Sequence, residues 1–392
     1  MQYNFDEIID RRNTNCDKYD ACEQVFGRSD ILPLWVADMD FKVAQPIVDA
    51  LLARTEHRIF GYSFLGQSYF ESIINWQKRR NDWNIKKEWI MYCPGVVPGL
   101  NFSVQSLTET SDKIVIMPPV YRPFFTAATD NNRVLAVNNL KHNNLDYFID
   151  FDDLDEKLKD AKMLIFCNPH NPVGRVWRRD ELEKIAELCL KHKVIILSDE
   201  VHSDLVFAPH RHISIATLSE EIADICITFF APSKTFNIAG LVSGVAVTSN
   251  KKLHDKYCAC LKRLHIDQGN LYGMIGLEAA YNNGEDWLNQ LLEYVFENAK
   301  FVVDFFEKNI PQIKTKHPEG TYLQWIDFRA LNLCQRDLVD FVVNKAKVGL
   351  NNGTVFSETE GVGFMRLNLA CPRAIIGKAL NQILSAYNQQ LR

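Results

Sequence analysis

The chain lacks the features that usually mark membrane-bound, secreted and nucleic-acid-binding proteins. No uninterrupted apolar stretch approaches the length of a membrane-spanning helix. Residues 1–7 contain no apolar core of a secretory signal. The net charge is only −5, and neither basic nor acidic residues form a long block. We therefore expect a cytoplasmic protein with neither a membrane nor a nucleic acid as its partner.

Disulfide and metal-binding spacings are missing as well. The ten cysteines are scattered along the chain, no pair has the CxxC spacing, and the closest pair is Cys258 and Cys260. Several cysteines fall within apparent strands and helices, which is typical of reduced core thiols in a cytosolic enzyme. We predict no disulfide framework and no metal site.

The remaining composition is that of an ordinary soluble protein, with 47% hydrophobic and 24% charged residues. Because 392 residues exceed one ordinary core, we expect about two domains. Apolar, β-rich runs alternate with helical patterns, of which residues 179–192 form the clearest, and this alternation predicts a parallel sheet covered on both faces. The predicted strands are residues 89–93, 113–117, 133–137, 163–167, 194–197, 225–230 and 244–248.

The pattern changes at about residue 284. A long helical pattern reaches residue 308, a mixed segment covers 321–328, and further helices are predicted near 337–347 and 372–389. These segments predict a second, smaller α+β unit. We assign residues 46–283 to a large domain and residues 284–392, together with an N-terminal arm of residues 1–45, to a small domain.

Three polar residues follow three of the predicted strands. Asn171 lies in Asn-Pro-His-Asn-Pro-Val-Gly, Asp199 in Asp-Glu-Val-His, and Lys234 in Ala-Pro-Ser-Lys-Thr-Phe-Asn. The carboxyl ends of parallel strands share one edge of a sheet, so these side chains are expected to face a common crevice. A lysine there can lose its proton and condense with a carbonyl. Each residue alone also fits an ordinary role as a turn, a helix cap or a surface lysine.

These segments together resemble the pyridoxal-phosphate enzymes of fold type I, and within them the class I/II aminotransferase-like group. Residues 32–41, Leu-Pro-Leu-Trp-Val-Ala-Asp-Met-Asp-Phe, and residues 363–370, Gly-Phe-Met-Arg-Leu-Asn-Leu-Ala, look like the branch of cystathionine and cysteine-S-conjugate β-lyases. The resemblance runs from about residue 30 to the C-terminus. It implies an α/β fold whose large domain holds a mostly parallel seven-stranded sheet covered by helices, beside a smaller α+β domain. It also implies pyridoxal 5′-phosphate as cofactor and a homodimer with shared active sites.

The resemblance assigns three candidate catalytic residues, Lys234, Asp199 and Tyr121. Lys234 would hold the cofactor aldehyde and then remove the substrate Cα proton. Asp199 would pair with the pyridinium nitrogen, so that the ring can accept electrons, and Tyr121 would stack on the ring. Asn171 would donate to the phenolic oxygen. His202 marks the β-lyase branch and is grouped with the cofactor-binding residues, either touching the cofactor or orienting Asp199.

The phosphate of the cofactor needs hydrogen-bond donors. Gly95, Val96 and Val97 open a helical pattern after a predicted strand, and backbone amides at a helix N-terminus can hold an anion. Ser233 would add its hydroxyl. Tyr62 matches, by resemblance, a tyrosine that reaches the phosphate of the neighbouring subunit.

The substrate is predicted to bind through its α-carboxylate. Arg366 matches the arginine that grips this group with a bidentate fork, a task for which guanidinium is better suited than ammonium. Backbone groups around Val36 and Ala37 would lie near the same carboxylate. The aminotransferase pattern has a serine and an arginine where this chain has Ala231 and Val242, and this departure favours the lyase branch.

The implied activity is a pyridoxal-phosphate-dependent carbon–sulfur β-lyase that cleaves L-cystathionine or related cysteine S-conjugates to a thiol, pyruvate and ammonia. An aminotransferase stays open as an alternative, because the same catalytic groups serve both reactions and the Cβ substituent of the substrate decides the outcome. A non-catalytic regulatory module is a third reading, which the lack of a recognisable DNA-binding extension disfavours.

Overall fold

The computed structural model describes residues 2–390, so the outermost residues of the predicted arm and small domain, 1, 391 and 392, lie outside it. The strands are β1 (Leu32–Pro33), β2 (Ile90–Cys93), β3 (Lys113–Ile116), β4 (Val134–Val137), β5 (Lys141–Asn143), β6 (Asp146–Phe148), β7 (Ala161–Cys167), β8 (Ile195–Asp199), β9 (Cys226–Phe230), β10 (Gly244–Val247), β11 (Lys314–Thr315), β12 (Leu323–Asp327), β13 (Val348–Gly349), β14 (Asn351–Asn352) and β15 (Phe364–Asn368).

Helices separate most of these strands. They are α1 (Asp17–Asp20), α2 (Cys22–Phe26), α3 (Gln45–Glu56), α4 (Gln67–Asn81), α5 (Val96–Leu107), α6 (Pro123–Thr129), α7 (Phe151–Leu158), α8 (Arg179–His192), α9 (Glu220–Asp224), α10 (Pro232–Thr235), α11 (Lys251–Arg263), α12 (Leu271–Asn283), α13 (Glu285–Asn309), α14 (Gln335–Asp340) and α15 (Arg373–Gln390). None of the helices in the described part of the chain has the length and apolar character needed to span a bilayer.

Seven strands form the main sheet, in the order β2-β10-β9-β8-β7-β3-β4. The pairs β9·β8, β8·β7, β7·β3 and β3·β4 are parallel, whereas β10 runs antiparallel to both of its neighbours. The seven strands are those predicted from the sequence, with ends that differ by one or two residues. The predicted α/β fold with a mostly parallel seven-stranded sheet is therefore confirmed.

Both faces of this sheet are buried, which is why its strands are continuous apolar runs. On β8, Ile196 belongs to the buried cluster that includes Leu182 of α8. Its neighbour Leu197 points to the opposite face and belongs to the cluster that includes Leu100 of α5 and Tyr257 of α11. With apolar layers on both sides, polar residues are left to the ends of the strands, where the loops begin.

A second sheet is built from the C-terminal part of the chain, in the order β11-β12-β15-β14. It follows α13, whose bounds agree with the helical pattern predicted for residues 284–308. The helix predicted near 337–347 is instead α14 followed by a π-helical segment, Phe341–Lys345. In the N-terminal arm, β1 pairs in parallel with β13. The division into 46–283 and 1–45 with 284–392 stays a prediction.

Candidate active site

Three neighbouring parallel strands lead to one cavity. Strand β7 ends before the loop that carries Asn171, β8 ends on Asp199, and β9 is followed by α10, which carries Lys234. The cavity has a volume of about 210 Å³ and is lined by Ala37, Gly95, Val96, Val97, Pro98, Tyr121, Cys167, Asn171, Asp199, Val201, His202, Ser233 and Lys234. Every candidate residue except Val36, Tyr62 and Arg366 lines it.

Lys234 is the cationic side chain on the wall of this cavity. Its Nζ donates to the carbonyl oxygen of Ala37 at 2.7 Å. Burial lowers the pKa of Lys234 to about 8, the positive charge of Arg366 acts in the same direction, and Asp38 and Asp199 partly oppose them. The amine therefore gives up its proton more readily than an exposed lysine, as a nucleophile or a general base requires.

The loop around Lys234 is locked to the N-terminal arm by Asn237. The Asn237 side chain donates to the carbonyl oxygens of Met39 and Phe41, both at 3.0 Å, and accepts from the Met39 N–H at 3.0 Å. On the other side, Thr235 donates to the buried carboxylate of Asp204 at 3.0 Å. The motifs around Lys234 and Met39 thus form one structural unit.

Two acidic residues of the arm motif anchor the arm itself. Arg11 binds both Asp38, at 2.5 Å, and Asp40, at 2.6 Å, and Lys18 binds Asp40 at 2.9 Å. Lys18 and Asp40 are buried, whereas Arg11 and Asp38 are partly exposed, so the cluster reaches from the surface into the interior. Sequence reasoning missed Arg11 and Lys18, because isolated basic residues near a chain end look like ordinary surface groups.

Asp199 is a buried carboxylate, only 4% exposed. It accepts one hydrogen bond, from the Val201 N–H at 3.1 Å, and within residues 2–390 no cation forms an ion pair with it. Burial raises the pKa of Asp199 to about 7, and the charge of Glu200 adds to this, while the Val201 N–H and Lys234 oppose it. A protonated ring nitrogen in the cavity would supply the cationic donor that Asp199 lacks.

His202 is a buried, neutral side chain beside Asp199. Burial lowers the pKa of His202 to about 3, and the charges of Lys234 and Arg366 lower it further. Its ring meets that of Tyr322 edge-on, with 5.9 Å between centroids. Its Nδ1 finds no hydrogen-bond partner among the described residues. Both roles considered for His202, cofactor contact and orientation of Asp199, stay predictions.

Arg366 is a buried guanidinium that lies beside the cavity. Its Nη1 donates to Asn171 Oδ1 at 3.0 Å, its Nη2 donates to the Trp35 carbonyl at 2.9 Å, and it lies 4.9 Å above the Phe356 ring. Burial lowers the pKa of Arg366 to about 10. In the described part of the chain no carboxylate pairs with Arg366. A buried cation is stabilised by an anionic partner, and this partner is missing here.

The same contact fixes the orientation of the Asn171 amide. Guanidinium groups only donate hydrogen bonds, so the atom of Asn171 that faces Arg366 is the amide oxygen. The NH₂ group of Asn171 is then left to donate into the cavity, as the predicted bond to a phenolic oxygen requires.

The segment that contains Val36 and Ala37 is held by its carbonyl groups. Asn368 donates to the Val36 and Asp38 carbonyls, both at 2.6 Å, and the Tyr322 hydroxyl donates to that of Ala37 at 2.9 Å. Sequence reasoning missed both donors. Asn368 could have been found, because it lies two residues after Arg366 on β15 and so shares its face. Tyr322 gave no such signal.

The N-terminus of α5 offers free backbone amides. Gly95 is the N-cap, no described side chain caps the helix, and the first intrahelical bond runs from the Gly99 N–H to the Gly95 carbonyl. Pro98 has no N–H, so Val96 and Val97 present the amides that face the cavity. A Cβ at Gly99 would lie 2.5 Å from Cys93 Sγ, so glycine permits the close approach of α5 to β2.

Three lining residues were not predicted, namely Pro98, Cys167 and Val201. Cys167 ends β7, and burial raises the pKa of its thiol well above the usual range, which makes it an uncharged part of the wall. Val201 adds an apolar side chain after Asp199. Cys167 could have been found from its place at the end of a predicted strand.

Tyr62 is the one predicted site residue that the single chain leaves apart. It is fully exposed and lines a separate depression with Gln268 and Met274. Within one chain it touches none of the other candidate residues. The predicted contribution of Tyr62 to the neighbouring subunit's site stays a prediction.

The chain belongs to the aminotransferase class I and II family, whose sequence profile matches residues 30–383. It is 40% identical to cystathionine β-lyase PatB of Bacillus subtilis (strain 168), over 98% of this chain and 99% of the relative. It is 35% identical to cystalysin from Treponema denticola, a crystal structure that contains pyridoxal 5′-phosphate, with a TM-score of 0.97 over 100% of both chains. A pyridoxal-phosphate-bound protein of Clostridium difficile 630, provisionally named an aminotransferase, is 46% identical, with a TM-score of 0.97 over 98% of this chain and 100% of that one. The predicted family is confirmed.

Proposed function

We propose that this protein is a pyridoxal-phosphate-dependent carbon–sulfur β-lyase that cleaves L-cystathionine or a related cysteine S-conjugate to a thiol, pyruvate and ammonia. The observation that carries the proposal is Arg366, a buried cation bonded to Asn171 and to the Trp35 carbonyl but to no carboxylate within residues 2–390. It lies beside the cavity that Lys234 and Asp199 line. The 40% identical relative that is named a cystathionine β-lyase supports the same activity.

The residues of the cavity are complementary to pyridoxal 5′-phosphate. The Val96 and Val97 amides suit the phosphate, Asp199 suits the ring nitrogen, the Asn171 NH₂ suits the phenolic oxygen, and the Lys234 amine suits the aldehyde. When bound, the cofactor supplies an electrophilic carbonyl for amines and a ring that stabilises negative charge at the substrate Cα.

The chain's own residues then divide the work. Arg366 binds the α-carboxylate of the substrate through its fork and thereby orients the Cα–H bond. Lys234, whose pKa is lowered to about 8, accepts the Cα proton at Nζ near neutral pH. Asp199 holds the proton on the ring nitrogen.

Carbon–sulfur cleavage follows when Cβ carries a sulfur substituent. The Cβ–S bond breaks, its electron pair leaves with the sulfur, and the sulfur takes up a proton to become a thiol. Hydrolysis of the remaining three-carbon fragment consumes one water and gives pyruvate and ammonia.

An aminotransferase is the second candidate. The structure from Clostridium difficile that is provisionally given this name is 46% identical to the chain. The same three residues, Lys234, Asp199 and Arg366, would serve that reaction, because it differs only in where the proton returns when Cβ bears no leaving group.

We also infer that two chains form a homodimer with shared active sites. Four large side chains of one segment are highly exposed: Ile59 at 65%, Phe60 at 58%, Tyr62 at 101% and Phe64 at 85%. An apolar segment of this kind is typical of a surface that a partner covers. A second copy that covers it would bring Tyr62 towards the phosphate end of its partner's cavity.

We also propose that the protein is cytoplasmic. We propose further that residues 46–283 form the large domain and that residues 1–45 and 284–392 form the small domain. Fractionation of the producing cells tests the location. Limited proteolysis tests the division, with the first cuts expected near residues 45 and 284.

The activity is tested with the cofactor-loaded enzyme. We expect L-cystathionine and an S-alkyl cysteine each to yield pyruvate, ammonia and thiol in equal amounts, and Lys234→Ala to yield none above background. Transfer of the amino group to an added keto acid, with no thiol released, would identify an aminotransferase instead.

A further inference from the structure

A buried carboxylate, that of Glu200, lies directly behind Asp199. Glu200 is 2% exposed. The hydroxyls of Ser198 and Ser214 donate to its Oε1 at 2.8 and 2.9 Å, and His212 Nε2 lies 2.8 Å from its Oε2. None of these four side chains is among the residues that line the active-site cavity, so the cluster is separate from the groups that would touch a cofactor.

The cluster has the hydrogen-bonding pattern of an ionised carboxylate, because both serine hydroxyls donate to Glu200 and His212 donates as well in the tautomer that carries its proton on Nε2. The other ring nitrogen of His212, Nδ1, has no partner within residues 2–390, so the bond to Glu200 is the one that orients the imidazole. Ser198 and Ser214 are at most 1% exposed. With so little water nearby, the charge of Glu200 acts over a longer range than a surface charge would.

The backbone fixes this charge relative to Asp199. Asp199 is the last residue of β8 and Glu200 follows it, so the two side chains leave opposite faces of the chain. The Glu200 N–H donates to the Phe229 carbonyl at 2.7 Å, and the Val201 N–H donates to Asp199 at 3.1 Å. The Glu200 carboxylate is held in turn by Ser198, Ser214 and His212, so the two carboxylates keep their relative positions while these bonds are intact.

Among the groups whose charges act on Asp199, Glu200 is the other carboxylate. The others are Lys234, Cys93, Cys167 and Tyr121. Burial raises the pKa of both thiols and of the phenol, so these three are neutral in the working range. Lys234 changes its charge when it reacts. The negative charge of Glu200 therefore adds to the raised pKa of Asp199.

We propose that Glu200, held ionised by His212, Ser198 and Ser214, is a positioning residue that makes Asp199 a stronger hydrogen-bond acceptor for the protonated ring nitrogen of the cofactor. This inference rests on the proposed function, because it requires pyridoxal phosphate in the cavity. Burial of a charge costs free energy, and the hydrogen bonds of this network offset that cost. The charge lies next to Asp199, whose proton affinity controls how well the ring stabilises negative charge at the substrate Cα.

The test measures the protonation state of the ring nitrogen as the pH is raised. It uses ¹⁵N NMR on the holoenzyme loaded with ¹⁵N-labelled pyridoxal phosphate. Glu200→Gln removes the charge but keeps the shape. We expect the midpoint for loss of the ring proton to fall by about one pH unit, since removal of a neighbouring negative charge destabilises the protonated ring. We expect kcat to fall about tenfold with KM within about twofold.

Two variants separate this effect from a loss of packing. Glu200→Asp keeps the charge and should retain a midpoint close to that of the wild type. Glu181→Gln removes another buried glutamate charge, one paired with Arg175, and should not move the midpoint. If Glu200→Gln does not fold, Glu200→Met, which is similar in length and uncharged, takes its place.

An unchanged midpoint in a folded, cofactor-loaded Glu200→Gln protein would overturn the proposal, whichever substrate the enzyme cleaves. A shifted midpoint in Glu181→Gln of the same size would overturn it as well, because the effect would not be specific to Glu200. Failure of the wild-type protein to bind pyridoxal phosphate would count against the proposed function instead. The two failures are therefore distinguishable.

Discussion

Arg366 Nη1 donates to Asn171 Oδ1 at 3.0 Å, and this contact joins the group that would hold the substrate to a group that would hold the cofactor. The two residues are brought together from a strand of the small sheet and a loop of the large one. Because the amide is neutral, it orients the guanidinium without neutralising it. A carboxylate at the same place would do both.

Asn171→Asp should therefore inhibit the enzyme in a specific way. The new carboxylate would pair with Arg366 and compete with the α-carboxylate of the substrate, so we expect KM to rise by about one to two decades. Asn171→Ala is the matched control, since it removes the amide without adding a charge. Steady-state kinetics on both variants test this prediction. If KM rises no more in Asn171→Asp than in Asn171→Ala, the new carboxylate does not compete with the substrate.

Arg366→Lys should weaken substrate binding far more than it disturbs the cofactor. The lysine keeps the charge but loses one of two parallel charge-assisted bonds, a loss of about 1.5–3 kcal/mol, which is about one to two decades in kcat/KM. The absorption spectrum of the bound cofactor should hardly change. A variant that loses the cofactor yet keeps its substrate affinity would place Arg366 at the phosphate instead.

Lys234 should carry the cofactor covalently. We expect the purified holoenzyme to be yellow, and borohydride to bleach it while fixing the cofactor to Lys234, as peptide mass spectrometry would show. Lys234→Ala should lose at least about 10²–10⁴-fold in turnover, the usual worth of a general base. Lys184→Ala, at an exposed position on α8, is the control that should retain the covalent label, and an adduct on any other lysine would refute the assignment.

Tyr62 and Lys234 should complement each other between subunits. Lys234→Ala and Tyr62→Phe are each expected to be inactive as homodimers. A mixed dimer has one site with both residues intact, so mixing after mild dissociation should restore part of the activity. Sedimentation of the wild-type protein provides the independent check, and an active monomer would rule out a shared site.

Asp199 should make the cofactor-free protein less stable as the pH rises. Its pKa is raised from 3.8 to about 7, so the fold favours the protonated form. The stability it contributes is fully present below pH 3.8 and is lost as the pH rises to about 7. The upper limit is about 4 kcal/mol, at 1.36 kcal/mol for each unit of pKa.

Two buried histidines change the stability in the opposite direction over part of this pH range. Burial lowers the pKa of His170 and of His202 to about 3, so their contributions to stability are lost as the pH falls from about 6.5. The contribution of Asp199 is therefore obtained from the difference in unfolding free energy between wild type and Asp199→Asn, measured by denaturant titration at several pH values. A difference independent of pH would show that Asp199 is ionised throughout in the cofactor-free fold.

The strands and the clearest helix could be predicted because their signals are local. Continuous apolar runs mark strands buried on both faces, and the pattern of residues 179–192 coincides with α8. The positions of Asn171, Asp199 and Lys234 followed from the strand ends. Contacts between distant residues left no such mark. Tyr322 meets Ala37 across 285 residues, and Arg11 and Lys18 meet their acidic partners across more than twenty, so all three roles were missed. The change from α14 to a π-helical segment was equally invisible, since a π-helical segment of five residues is too short to show an apolar spacing of its own.

Asn237 binds the loop of Lys234 to the N-terminal arm, which is synthesised some two hundred residues earlier. The arm also binds residues that are synthesised after Asn237. Its strand β1 pairs with β13, and its carbonyls are held by Asn368. During synthesis the arm emerges first but cannot dock until nearly all of the chain has followed. Catalytic competence is thus among the last properties a nascent chain acquires, and a chain that ends early carries Lys234 and Ala37 without β13 and Asn368, the partners that hold the arm.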